Sequence, residues 1–185
     1  MTSQRFRVGD ADDAAKVASL HAASWRRHYR GAYADAFLDG DVVADRRAVW
    51  SSRLAAPGEH LTVVAEHDAE LAGFVHVVFD ADERWGSLVD NLHVVHGRQR
   101  TGTGTALLTR AAEAVAERAT GPSMYLWVLE QNTAARQFYR ALGGICVEKA
   151  PVPPPGGVPE RLHDAPDMLR VAWSGTSFPA RRTGH

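Results

Sequence analysis

Cysteine is nearly absent from the 185 residues: Cys146 stands alone, so no internal disulfide can form and the chain suits a reducing compartment. The amino terminus, MTSQRFRVGD, lacks the apolar run of a signal peptide. The longest apolar stretch, around LAGFVHVVF, is interrupted by His76 and is far too short to span a bilayer. A cytoplasmic location and no membrane partner are therefore expected. Neither sign of charge is in excess. A formal net charge of −1 argues against broad nucleic-acid binding, so any anion site must be local. There is no internal repeat and no heptad array. Nine histidines invite a metal, but no HExxH and no Cys/His set is present. His93 and His96 alone make no site, and no metal is expected. What remains is ordinary for a globular protein, with 45% apolar and 23% charged residues, enough to bury one core. A single domain over 1–173 is expected, followed by an unpacked tail at 174–185.

Periodicity supplies the elements. FRV at 6–8 reads as a short strand. Asp10 reads as an N-cap, with Asp12 and Asp13 in the first turn, where the helix dipole favours negative charge. Val17, Leu20 and Ser24 on one row, and Ala14, His21, Trp25 and Tyr29 on the next, give a helical face. RGAYADAFLDG breaks that helix. A second fits 41–55, where Val43, Trp50 and Leu54 recur near the 3.6 period. LTVVAEH, LAGFVHVVFD and SLVDNLHVV are β-branched runs of an antiparallel meander. A helix from about 103 to 119, the strand SMYLWVLE and the helix NTAARQFYRALGG follow, and ICVEKA and DMLRVAW are the last strands. Between those two, six prolines in 16 residues exclude a helix and favour an extended loop at 151–166. The expected class is α+β, a mostly antiparallel central sheet of about seven strands flanked by about four helices, with one strand–helix–strand crossover.

The crossover contains QRTGTG, Gln99 to Gly104, between an apolar strand and an alanine-rich helix. Gly102 and Gly104 open backbone conformations closed to other residues, so several N–H groups can converge on one point. The helix adds its orphan amides and the positive end of its dipole, a combination that binds phosphate. Arg98 and Arg100 add mobile charge. A nucleotide P-loop is excluded by spelling: Gly97 and Gly102 have the spacing, but Thr103 and Gly104 follow where Lys and Ser/Thr are required. A Rossmann turn is excluded because Leu107 occupies the third glycine position. A turn that merely reverses the chain remains the plain alternative.

Downstream residues bear on that choice. Gln99, Arg100, Thr101, Gly102, Thr103 and Gly104 follow Leu92, His93 and Val94, and a second unit carries Asn132, Ala135, Phe138 and Tyr139. In these two motifs, which cover 88–144, the chain resembles the GNAT superfamily of N-acetyltransferases, and the element order fits that fold over 6–173. The resemblance implies acetyl-CoA as the acyl donor, with pyrophosphate on the backbone amides from about Arg100 to Thr105. It implies a splayed strand pair whose free edge, about His93 to Val95, takes the amide arm of pantetheine as a peptide strand would, with Asn132 reaching the same arm. Leu92 and Phe138 belong to the same motifs. The chain departs from the family at Arg100, where a second glycine is frequent, at His96, where proline is frequent, and at Gly144, where phenylalanine is frequent. Gly144 is expected to leave the next strand less well anchored.

The resemblance also implies a reaction. Tyr139 stands where the family places the acid that protonates the CoA sulfur, and the N–H of Val94 or its neighbour is the expected oxyanion donor. The base is sought on VDNLHVVH. Strict alternation puts Asn91 and His93 on one face and Asp90 with core-facing Leu92 and Val94 on the other, which pushes Asp90 towards the core or a strand end. His93 is preferred to Asp90 because an ordinary imidazole titrates near 6.5. Asn91 can only position a substrate or water. Tyr29 and Tyr33, with Trp127, are the acceptor-pocket candidates. The proline-rich loop is either a further wall or an oligomer contact, as in a homodimer. The leading expectation is an enzyme acetylating a primary amine of a small molecule or peptide. The alternatives are another acyl-CoA donor, or a CoA-binding sensor without catalysis.

Overall fold

The computed structural model describes residues 4–56 and 58–175, so the tail expected from 174 lies, beyond 175, outside the described residues. In chain order the elements are β1 (Gln4–Val8), α1 (Ala14–His28), α2 (Asp35–Asp39), α3 (Val42–Ala55), β2 (His60–His67), β3 (Glu70–Asp82), β4 (Gly86–Val94), α4 (Thr103–Arg118), β5 (Met124–Leu129), α5 (Thr133–Ala141), β6 (Ile145–Pro151) and β7 (Asp167–Trp173). The class and the seven strands are as expected. Among the described residues the α-helices number five, because the segment expected only to break α1 forms α2 and buries Phe37 and Leu38. No helix among the described residues is long and apolar enough to cross a membrane.

One sheet holds all seven strands in the order β1-β2-β3-β4-β5-β7-β6, and every neighbouring pair but one is antiparallel. The exception is the parallel pair β4 and β5, joined through α4. On one face α4 lays Leu107, Leu108, Ala111 and Val115 against Val75, Val77, Val89 and Leu126. On the other, α1 and α3 bring Val17, Ala18 and Trp50 against Val64 and Phe74. The start of α1 is pinned to the sheet: Asp10 and Asp13 form a capping box, and Arg7 bonds both Asp13 at 2.7 Å and Glu66 at 2.7 Å.

Three local expectations change. The buried row of α3 runs through Val42, Arg46 and Trp50, whereas Val43 is exposed, because Arg46 lies flat over Trp25 at 4.3 Å and takes the place of an apolar side chain. The proline-rich loop contains two short 3-10 turns, 155–157 and 159–161, each with proline where a missing N–H costs nothing. Gly144 leaves no anchor missing: a side chain there would meet Val171 at 2.5 Å and Trp173 at 2.7 Å. Trp173 fills that space and donates its indole N–H to the Leu142 carbonyl at 3.0 Å.

Candidate active site

β4 and β5 pair only at Ser87 with Met124 and Leu88 with Tyr125, and then part. The cause is on β4. Its register against β3 shifts between His76, opposite Asn91, and Val77, opposite Val89, which leaves Asp90 as an extra residue without a β3 partner. Such a bulge bends its strand. It also breaks strict alternation, so Asp90 is neither core-facing nor at a strand end: its side chain is about a third exposed and ion-paired with Arg53 of α3 at 2.7 Å. Leu92 and Val94 do pack against the α4 core.

At the open end of the gap, Val95 donates its N–H to the Ala72 carbonyl at 2.9 Å and accepts the Arg98 N–H at 3.0 Å. Both backbone groups of Val95 are therefore used, and the free edge is shorter than expected, ending at Val94. Because successive strand amides point to opposite sides, the Val94 N–H is turned away from β3 toward the gap.

The turn that follows is built for main-chain donors. Gly102 caps α4 in the left-handed region, φ 87°, with no side-chain cap. The first amide of the helix to find a backbone acceptor is that of Ala106, on Gly102 O at 2.9 Å, so Thr103, Gly104 and Thr105 open the helix with the orphan amides of its first turn. The threonines shape the turn. Thr101 donates to the Arg98 carbonyl at 2.7 Å and bonds Thr103 at 2.9 Å, while Thr103 is buried and accepts from Gln4 at 2.7 Å. Gly104 is helical, and an added Cβ would make only an ordinary contact with the Phe138 ring at 3.4 Å, so the special backbone of the turn rests on Gly102. Gln99 and Arg100 are exposed at the rim. On the far side of the gap Asn132 caps α5, its Oδ1 accepting the Ala135 N–H at 3.2 Å, so that its amide N–H groups remain for a ligand.

Where the strands part, side chains from four segments meet. Burial and then the Asp90 charge push the Tyr29 hydroxyl up to about 12. Burial, Tyr29 and Asp90 raise Tyr33 as well. Tyr139, buried against the α4 core, is raised by burial and then by Tyr29. Its hydroxyl has no hydrogen-bond partner among the described residues. His93 is half-buried, hydrogen-bonded through Nδ1 to Ser24 at 2.8 Å and in tilted ring contact with His21, centroids 4.7 Å apart. Burial, with the nearby His28, pushes it down to about 4. That removes the reason for preferring His93: an imidazole at about 4 rather than 6.5 is weaker as a base by about 3 kcal/mol. Asn91 is buried and donates to Asp90 Oδ2 at 2.7 Å, so it serves a carboxylate of its own strand. Trp127 makes no ring contact with these side chains among the described residues, and its ring is covered by Arg170 at 4.6 Å.

Tyr29 and Tyr33 are carried by the segment between α1 and α2, which is held from both sides. Gln131 donates to the carbonyls of His28 at 3.2 Å and Arg30 at 2.8 Å. The proline-rich loop pairs with the same segment, His163 N–H on Ala32 O at 2.9 Å and Ala34 N–H on Arg161 O at 2.8 Å. Between them, beside Gly31, opens a hollow of about 380 Å³ lined by Glu130, Gln131, His163, Asp164 and Asp167.

Residues 17–143 match the family model described as the Acetyltransferase (GNAT) family. The chain belongs to the GNAT acetyltransferase family. It is 26% identical over 137 residues, 73% of this chain and 76% of the relative, to the uncharacterized N-acetyltransferase YuaI of Bacillus subtilis (strain 168). Its fold is that of PaiA N-acetyltransferase from Thermoplasma acidophilum, solved in complex with coenzyme A, at TM-score 0.68 and 16% identity over 92% of this chain and 99% of that one. YncA of Salmonella typhimurium, solved with its cofactor acetyl-CoA, superposes at TM-score 0.66 and 18% identity over 98% and 99%.

One departure of this acetyltransferase from its family has a conformational cost. Arg100 sits at φ 67°, in the left-handed region where glycine is at ease, so its charge is kept at the expense of backbone strain. Sequence reasoning also missed Arg53, Ser24 and Gln131 in this acetyltransferase. Ser24 left a trace, a serine on an apolar row of α1. Arg53 and Gln131 left none, since their partners lie 37 and about 100 residues away.

Proposed function

We propose that this chain moves an acetyl group from acetyl-CoA to a primary amine of a small molecule or peptide by direct attack. The observation that supports it most is the parting of β4 from β5 after Leu88 beside a helix that opens on orphan amides. The residues present fit that donor. The amides of Thr103, Gly104 and Thr105 would hold pyrophosphate, with Arg98 and Arg100 adding charge. The gap-facing backbone groups of Leu92 and Val94 would pair with the pantetheine arm, with Asn132 donating from across the gap, while those of His93 face β3. When bound, acetyl-CoA supplies an acetyl group activated as a thioester.

The chain then has three tasks. The Val94 N–H would face the carbonyl oxygen and favour the charge that builds there. Asp90 would draw in the cationic amine and take one proton, which frees the lone pair that forms the N–C bond, with His93, neutral and fixed by Ser24, lining the approach. The second proton of the former ammonium leaves as the C–S bond breaks and balances the departing thiolate. Tyr139 would meet the sulfur as the C–S bond breaks. Its raised hydroxyl remains protonated, and donation to a thiolate with a pKa of about 8.5 is uphill, so a strong hydrogen bond is its main contribution. Tyr29 and Tyr33 would border the acceptor, with the 151–166 loop as the outer wall.

Thiol release from acetyl-CoA, measured with a monoamine, a diamine, an aminoglycoside and a peptide amine, tests the reading. Turnover with one of them is expected, and Tyr139→Phe should lower kcat on the order of 100-fold with acetyl-CoA affinity retained. Unchanged turnover in Tyr139→Phe would remove the acid. Tight CoA binding with no turnover on any amine would make the chain a sensor.

A further inference from the structure

We infer that Arg53 is a positioning residue of the acetyl-transfer site, fixing the Asp90 carboxylate so that one oxygen is held and the other is left to accept. The inference rests on the reading of Asp90 given above. As the extra residue of a bulge, Asp90 has no cross-strand partner to set its direction. Two donors set it instead, Arg53 Nη1 at 2.7 Å and Asn91 Nδ2 at 2.7 Å, and both bond Oδ2. Oδ1 takes no hydrogen bond among the described residues. A guanidinium that gripped the carboxylate with its full fork would occupy both oxygens. Here the contact is one-armed, and the second oxygen keeps its lone pairs.

Arg53 is itself fixed. Its guanidinium lies 5.2 Å from the ring of Trp50, one turn earlier on α3. Trp50 is fully buried and donates its indole N–H to His21 Nδ1 at 2.9 Å, and the His21 ring rests at a tilt against His93. One helix thus supports the two ionisable groups of the splayed strand, Asp90 through Arg53 and His93 through Trp50 and His21. The competing account is an ordinary surface ion pair, which contributes little to stability and nothing to turnover.

A double-mutant cycle separates these accounts, using Arg53→Met, Asp90→Asn and the double variant, with kcat, both KM values and the thermal midpoint read on the full chain and the best amine of the panel above. Arg53→Met is expected to lower kcat roughly 10- to 100-fold with the KM for acetyl-CoA unchanged, since loss of orientation at a reacting group has effects of that size. Arg53→Lys, which keeps one charged donor, should return kcat to within about fivefold. In the Asp90→Asn background, Arg53→Met should cost less than about twofold more, because the residue has then lost the group through which it acts. An undiminished loss in that background, or wild-type kcat in Arg53→Met, would overturn the inference. Wild-type kcat in Asp90→Asn would instead remove Asp90 from the reaction and leave acetyl transfer standing. Should Arg53→Met lower the thermal midpoint by uncovering Trp50, Arg53→Gln carries the same cycle with a polar side chain in its place.

Discussion

The two faces of the sheet are built differently. Against α4, the sheet meets Leu107, Leu108, Ala111, Ala112 and Val115, and Tyr139 is the one titratable side chain among the described residues of that cluster. Against α1 and α3 the buried residues include His21, Thr62, His76 and Asn91, with His93 half-buried beside them. Nearly every polar group there has been given a partner: His76 with Thr62 at 2.8 Å, Trp50 with His21 at 2.9 Å, Asn91 with Asp90 at 2.7 Å. The exception is His21 Nε2, buried and without one. Burying such groups costs more than burying methyl groups, and an unpaired donor costs about 1–3 kcal/mol. A chain that keeps the expense on one side only divides its labour. The α4 face holds the fold, and the α1 and α3 face is the one on which the proposed acceptor arrives.

That division can be broken deliberately. The largest effect is expected on the apolar face. Leu108→Ala should lower unfolding free energy by about 2–5 kcal/mol while leaving kcat per folded molecule unchanged below the transition. A variant of unaltered stability but low kcat would reverse the assignment of the faces. The polar face should fail in acid. His76 is pushed down to about 4 by burial, while an unfolded imidazole titrates near 6.5. The unfolded chain takes up more protons between those values, so stability falls as pH drops from about 6.5 to about 4, by about 3 kcal/mol for this residue. Thermal midpoints against pH should be flatter in Thr62→Val/His76→Leu, which removes the pair together; an equally steep profile would contradict the account. The smallest effect belongs to the turn at the rim of both faces. Arg100→Gly should stabilise by about 1 kcal/mol by relieving the left-handed backbone, and Arg100→Ala, losing the same charge, should not. Equal midpoints for the two variants would mean that the turn stores no strain.

What could be read from the sequence is what depends on near neighbours. The glycine turn, the α4 face and the alternating strands are specified within a dozen residues, and the resemblance of Gln99–Gly104 and Asn132–Tyr139 to one family follows from them. What escaped depends on distant partners. The bulge at Asp90 is defined by pairing with His76 and Val77, so strict alternation turned that side chain to the wrong face. Val43 looked like the buried row of α3 because nothing local says that Arg46 will lie on Trp25. The preference for His93 rested on the ordinary value of an imidazole, and burial between α1 and β4 removed it.

The two-residue pairing of β4 with β5 makes the sheet, as a material, two plates joined along a short seam. Strands β1 to β4 form one plate and β5 to β7 the other, stitched by backbone bonds only around Ser87 and Leu88. A seam of that length resists shear poorly, and whatever lays amides along its open part lengthens it. Occupancy of the gap would then be legible in the mechanics of the whole sheet: a ligand at a hundred times its dissociation constant adds about 2.7 kcal/mol to the stability of the plates it joins.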